Sequence, residues 1–307
     1  MEILIIGLGS IANKHLLAIN SVIPNANIFA LRSGIKSIED TGVHNIFNID
    51  EIENKVDFAI ISNPTNLHAH FILELAKRNI PMMIEKPSLH SLEQAEVILN
   101  LINQNKIFTY VACNLRFHPC IEFIKNYLNT NKVRVNEVSV YCGSYLPDWR
   151  PNLNYKEVYS ANLNMGGGVH LDLIHELDYT TWLFGKPLDF VSFISSNSSL
   201  KIDAPDYCHY LLHYTNFSAT ITLNYFRKDP KRQIEILLEN STILVDLIQN
   251  KVSDSKYGAL YENTDFEIQD TYVSQINYFK EKLLHNQVPM NTFEDSLEVL
   301  KIALSNE

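Results

Sequence analysis

The chain has 307 residues, 46% of them hydrophobic and 20% charged, and a formal net charge of −10. That composition excludes a disordered chain, and the acidic balance excludes a general nucleic-acid binder, which needs a concentrated basic surface. The length suffices for one large domain or two.

From residue 2 to about residue 111, short apolar runs alternate with helical periodicity. The candidate strands are EILIIG, ANIFAL, VDFAIIS, IPMMIE and IFTYVA, with helices expected over residues 11–20, 66–78 and 92–103 and a shorter one near 50–54. Strands that are apolar at nearly every position and separated by helices predict a parallel sheet covered on both faces, the doubly wound α/β class. The first run, ILIIGLG, is shorter than a bilayer span and lacks the pattern of a secretory leader, and no later run approaches membrane length.

After residue 117 the pattern changes. CIEFIKNYLNT reads as a helix, RVNEVSVYCGSYL as a strand, and PDWRPNLNYKEVYSANLN as a polar, aromatic loop that leads to a glycine triplet and the helical VHLDLIHELDYTTWLFG. FSATITLNYF alternates with a period of two, which marks a strand with one buried face. Similar runs over 190–195, 207–214, 232–238 and 241–248 have no long helix between them and predict a large, mostly antiparallel open sheet. Helices near 272–285 and 293–305 close the chain. Two domains are therefore expected, 1–117 and 118–307, the second of the α+β type.

The first strand runs into GLGSIA, residues 7–12, where Gly7, Gly9 and Ala12 fill the pattern G-x-G-x-x-G/A, with Ser10 and Ile11 opening the helix. The first glycine allows a tight turn, the second lets backbone approach a pyrophosphate, and the small third residue permits close helix–strand packing. The helix N-terminus then offers free N–H groups to the phosphates. The second strand ends in FALRSG, with Arg32 and Ser33 where an NAD enzyme usually carries an acid, so NADP is preferred over NAD. SNPTNLH, residues 62–68, supplies Asn63, Pro64, Thr65 and His68 on the same edge, and the next strand ends in Glu85, Lys86 and Pro87.

Together GLGSIA, SNPTNLH, EKP and GGGVHLDLIHELD resemble the glucose–fructose oxidoreductase / inositol dehydrogenase family (Gfo/Idh/MocA), over nearly the whole chain. The resemblance implies a Rossmann domain carrying NAD or NADP, a second domain whose open sheet forms the substrate site, and a homodimer or homotetramer. It also implies that Lys86 lies beside the nicotinamide and substrate, that Glu85 helps to hold the cofactor, and that the bond before Pro87 is cis.

Oxidising a secondary alcohol requires removal of the hydroxyl proton as hydride leaves the carbon. Asp172 and His175, three apart on an expected helix, share a face and are the candidate proton-transfer pair with Lys86. His175 follows Asp172 at three positions where many members have four, and this leaves their division of labour open. NLRFHP resembles the family's interdomain strand end, which implies Asn114 and Arg116 on the substrate side, and Arg150 in LPDWRP suits an anionic group. No metal is assigned, because the histidine pairs 68/70 and 170/175 lack a third ligand and Cys113, Cys120, Cys142 and Cys208 lack ligand spacing. The cysteines read as reduced thiols, and the cytoplasm is expected. The resulting function is NAD(P)-dependent hydride transfer at a sugar, cyclitol or nucleotide-linked sugar, and resemblance alone implies surface-polysaccharide biosynthesis as the setting. A retained-cofactor epimerase or glycosidase and a non-catalytic dinucleotide sensor are the alternatives.

Overall fold

The computed structural model describes residues 1–34, 42–52 and 55–305. The chain divides into two compact units, residues 1–114 with 268–298, and residues 115–267 with 299–307.

The first unit opens with β1 (Glu2–Ile6), α1 (Ser10–Val22), β2 (Asn27–Leu31), β3 (His44–Ile46), β4 (Phe58–Ile61), α2 (His68–Lys77), β5 (Met82–Glu85), α3 (Ala95–Asn105) and β6 (Thr109–Ala112). The strands form one sheet in the order β3-β2-β1-β4-β5-β6, parallel throughout. Ile3, Leu4, Ile5, Phe58, Ala59, Ile60, Met82 and Met83 are wholly buried, as a sheet covered on both sides requires. The five expected strands are present. The sixth, β3, has only three residues and so offers too short an apolar pattern to read. Over 50–54 the chain makes a single 3₁₀ turn, Ile49–Glu51, and residues 53 and 54 lie outside the described residues.

The second unit contains α4 (Pro119–Asn131), β7 (Val135–Tyr145), α5 (Val169–Asp172), α6 (His175–Phe184) and β8 (Asp189–Ser195). It continues with β9 (Tyr207–His213), β10 (Ser218–Asn224), β11 (Phe226–Leu238), β12 (Thr242–Asp246), β13 (Lys251–Asp254) and β14 (Gly258–Glu262). These strands form an eight-stranded sheet in the order β14-β13-β12-β11-β7-β10-β9-β8. Every pair is antiparallel except β7 with β10. One face is apolar, with Val138, Val140, Ile221, Ile234 and Ile236 buried. The other face leaves Val191, Phe193 and Leu211 exposed on β8 and β9.

The chain then makes α7 (Ile268–Leu284) and α8 (Phe293–Ala303). The expected division is linear, with both helices in the second domain, whereas residues 268–298 pack with the first unit. The reason is hydrophobic. α7 lies along α1, and its Phe279 is wholly buried against the rings of Phe58 and Phe108, with centroids 4.9 and 5.6 Å away. Asn291 pairs with Val111 on the edge strand β6, its backbone carbonyl and side-chain amide each making a 2.9 Å bond there. The edge of the parallel sheet is thereby covered.

Candidate cofactor and substrate sites

In the first unit, Gly7 follows β1 with a φ of +84°, and a Cβ there would lie 2.8 Å from the Asn63 Cα. Both the backbone angle and the close approach demand glycine. Gly9, in contrast, faces open space, with nothing within 4 Å of a Cβ built on it. It is the N-cap of α1, no side chain caps that end, and no acid stands in the first turn. The free N–H groups and partial positive charge of a 13-residue helix therefore face an uncrowded position. Ala12 is wholly buried, which fits its reading as a packing residue.

Asn63 supplies an independent sign of a ligand. Its side-chain oxygen and nitrogen are both buried without a hydrogen-bond partner among the described residues. A buried amide left unpaired costs about 1–3 kcal/mol. Beside Gly7 and the open end of α1, a polar ligand group is the natural partner, and these residues fit a bound dinucleotide.

Arg32 directly follows β2. Its backbone N–H donates to the Ile46 carbonyl at 2.9 Å and its Nη1 to the Asn45 Oδ1 at 3.1 Å, which steadies the half-buried side chain, while Ser33 is exposed. Pro64 is the N-cap of a 3₁₀ turn that begins at the buried Thr65 and leads into α2. His68 at the start of α2 is buried and ties two loops together. Its Nδ1 lies 3.1 Å from the Pro87 carbonyl oxygen and its Nε2 3.0 Å from that of Asn63. Burial holds its pKa below the ordinary histidine value, although the surrounding carbonyls and Glu85 oppose the shift.

The side chain of Glu85 turns inward. Its Oε1 lies 2.6 Å from the Nε2 of His15 on α1, and its Oε2 accepts the Lys86 backbone N–H at 3.2 Å. Glu85 thus fixes the helix behind the glycine turn to the loop carrying Lys86. The Lys86–Pro87 bond is cis, as the resemblance implies, and Lys86 itself is half-buried at the carboxyl end of β5.

In the second unit, the glycine triplet is a steric requirement: a Cβ on Gly167 would fall 2.1 Å from the Tyr159 carbonyl oxygen, and Gly168 has a φ of +133°. The helix expected after it is broken. Asp172 ends α5, Leu173 and Ile174 form a turn, and His175, 8% exposed, begins α6. The shared-face argument for Asp172 and His175 assumed one unbroken helix, so their relation rests on the turn instead. His170 is wholly buried.

Tyr225 is a candidate site residue that the sequence did not announce. It is wholly buried, and its hydroxyl donates to the Asp172 Oδ2 at 2.6 Å. Burial, reinforced by Asp172, pushes its pKa well above the ordinary tyrosine value, so it remains a donor at any working pH. Trp149 packs edge-on against the same ring, with centroids 5.3 Å apart, and its indole N–H donates to the Ser144 hydroxyl at 2.9 Å. Asp172, Tyr225 and Trp149 therefore form one connected group, and Trp149, 39% exposed, keeps a face open to a ligand.

Two expected substrate residues are committed elsewhere. Arg116 makes a two-pronged bond to Asp178, at 2.9 Å and 2.7 Å, and both side chains are 4% exposed. Asn114 donates to the Thr271 hydroxyl at 2.7 Å and is also buried. Binding substrate would leave the Asp178 carboxylate buried and unpaired, at a cost of several kcal/mol (about 3–5). Arg150 is exposed, and its guanidinium has no partner among the described residues. No group of three or more His, Cys, Asp or Glu side chains there could hold a metal ion.

A parallel doubly wound sheet with a glycine turn at the first helix, followed by an open-sheet unit, defines a nucleotide-binding two-unit protein. Residues 1–112 match the oxidoreductase family with an NAD-binding Rossmann fold, and residues 134–244 match the GFO/IDH/MocA C-terminal domain. The chain belongs to the Gfo/Idh/MocA family. It is 28% identical over 161 residues to the rhizopine catabolism protein MocA of Rhizobium meliloti, a match covering 52% of this chain and 46% of that protein. The chain thus spans about half the length of the curated relatives it matches. Its fold is also that of the UDP-N-acetylglucosamine 3-dehydrogenase of Acidithiobacillus ferrooxidans, with a TM-score of 0.79, 17% identity, and coverage of 99% of this chain and 96% of that one. A levoglucosan dehydrogenase solved with NADH gives a TM-score of 0.88 at 14% identity, covering 99% and 95%.

Proposed function

We propose that the protein is an NAD(P)-dependent oxidoreductase acting on a secondary hydroxyl or carbonyl of a sugar, cyclitol or nucleotide-linked sugar. The observation that carries this reading is the orphaned Asn63 amide beside Gly7 and the uncapped start of α1. Gly7, Gly9, Ser10, Ile11 and Ala12 would seat the pyrophosphate, Asn63, Pro64 and Thr65 would line the cofactor, and His68 and Glu85 would brace those loops. The nicotinamide, when bound, supplies the hydride acceptor or donor.

The chain's own residues supply the proton chemistry. In the oxidation direction the Lys86 ammonium binds the reacting oxygen, and the hydroxyl proton passes to Asp172 or His175, the pair at the break between α5 and α6. Tyr225 donates to one oxygen of Asp172 and thereby fixes the direction of that carboxylate. In the reduction direction the same groups return the proton to the forming alkoxide.

NADP is the preferred cofactor, supported by Arg32 and Ser33 at the end of β2, where a carboxylate would favour NAD. The exposed strip of Val191, Phe193 and Leu211 supports a homodimer or homotetramer built on the open sheet. All four cysteines are free and buried, which suits the cytoplasm, and a role in making surface polysaccharide fits this chemistry. No described helix is long and apolar enough to cross a membrane.

The test is a fluorescence titration with NADPH and NADH, before and after Arg32→Asp, followed by a sugar screen with the tighter cofactor. NADPH binding that weakens about tenfold or more in the variant, with NADH less affected, supports the cofactor choice. Failure of both nucleotides to bind overturns the reading unless the purified protein already releases cofactor on denaturation.

A further inference from the structure

We infer that the sugar carries an oxyanionic group, a phosphate ester, a diphosphate or a carboxylate, and that Arg150 and Lys228 read it. This rests on Asp172, Tyr225 and Trp149 forming the substrate side of the site.

Three arginines of this unit are already neutralised. Arg116 is paired with Asp178, Arg232 with the fully buried Glu176, and Arg227 with Asp229. Arg150 and Lys228 are exceptions in an acidic chain of net charge −10. Neither has a carboxylate partner among the described residues, and both are exposed. Asp148, between Trp149 and the end of β7, pairs with neither.

One backbone link joins the segments that carry the two cations. The Leu146 N–H donates to the Tyr225 carbonyl at 2.8 Å, and Phe226 pairs with Tyr145 before the register shifts and Lys231 faces Gly143. Lys228 therefore lies in the bulge three residues beyond Tyr225, with its Nζ 5.6 Å from the centre of the Tyr145 ring. Arg150 lies four residues beyond Leu146, directly after the tryptophan locked between Ser144 and Tyr225. An indole face suits the apolar side of a sugar ring, and a free guanidinium beside it offers paired donors for an oxyanion. The lysine, over the Tyr145 ring, adds a mobile point charge. A neutral sugar would gain less from both cations, because hydrogen bonds between two charged groups are the stronger ones.

The experiment measures binding to the cofactor-loaded protein by calorimetry and turnover by cofactor absorbance. Four probes are used: glucose, glucose 6-phosphate, glucuronate and UDP-N-acetylglucosamine. At least one anionic probe should bind about tenfold or more tightly than glucose, lose affinity as salt rises, and lose that preference in Arg150→Gln, with a smaller loss in Lys228→Met. Circular dichroism and melting temperature verify that both exposed-site variants fold. Preference among the anionic probes separates phosphate from carboxylate recognition. Equal binding of glucose and the anions, binding of no anion, or a preference that survives both substitutions overturns the inference. Arg150-dependent anion binding without cofactor reduction by any probe would leave this inference standing and count against the dehydrogenase reading. Reduction by glucose with no charge preference would do the reverse.

Discussion

Tyr225→Phe removes one oxygen atom and is the sharpest test of the substrate side. The ring remains, so the edge contact with Trp149 at 5.3 Å is kept, while the 2.6 Å bond to Asp172 is lost. A hydrogen bond to a charged group contributes about 1.5–3 kcal/mol. Asp172 is only half-buried, so water can replace the lost donor and the stability cost falls at or below the lower end of that range. Catalysis has no such compensation, because a water molecule does not fix the carboxylate's direction. A loss of about 1.5–3 kcal/mol in the transition state corresponds to about a 10- to 150-fold fall in turnover. The assay is steady-state kinetics for the wild type, Tyr225→Phe, Asp172→Asn and the double variant. If Tyr225 acts through Asp172, the second substitution should add little once the first is made. Wild-type turnover in Tyr225→Phe, or two losses that simply multiply, would refute the positioning role.

Three further outcomes follow from local geometry. Gly7→Ala should cost about 1–3 kcal/mol in urea unfolding and abolish cofactor binding, since its Cβ meets the Asn63 backbone at 2.8 Å; unchanged stability would refute the turn assignment. Burial, helped by Arg232, pushes His118 down to about 4 from its usual value near 6.5. The unfolded chain then binds more protons than the folded one between those values, so the stability contributed by neutral His118 is complete above about pH 6.5 and is lost as pH falls towards 4. His118→Asn keeps an acceptor for the Cys120 N–H at the start of α4 and should flatten that part of the pH–stability curve. Phe193→Glu, on an exposed strand position, should shift the particle to a smaller mass in light scattering without lowering monomer helix content, and an unchanged mass would exclude that strip as the interface.

The parallel sheet was legible because its strands are apolar at almost every position, a pattern that comes from burial on both faces. The cofactor turn was legible because close backbone approach restricts Gly7 to one residue type. β13 and β14 were not, since KVSD is short and mostly polar and GALYE is short with no buried residue at the sheet's edge. The first half of β11, RKDPKR, looks like a solvated loop yet runs on as strand after a register shift. Tyr225 continues the buried alternation of β10, and nothing in that pattern separates a tyrosine that fills space from one whose hydroxyl holds Asp172. Arg116 shows the opposite ambiguity: an arginine at a strand end suggests ligand chemistry, and only the arrival of Asp178 from 62 residues away reveals its buried fork. Long-range pairing is the information that a single sequence does not display.

The return of residues 268–298 to the first unit gives synthesis a direction that matters. When the ribosome has made β1 to β6, every strand of the parallel sheet exists, yet Phe58 and Phe108 still lack the ring of Phe279, and β6 still lacks Asn291 along its edge. The nucleotide-binding unit begins before the eight-stranded sheet and is completed only after that whole sheet has emerged. Nascent chains must therefore carry an unfinished apolar surface for more than 150 residues of elongation, from residue 114 to residue 268. A fragment cut at the end of the sheet would inherit that surface permanently, so the nucleotide-binding unit cannot be isolated as a contiguous piece of the gene.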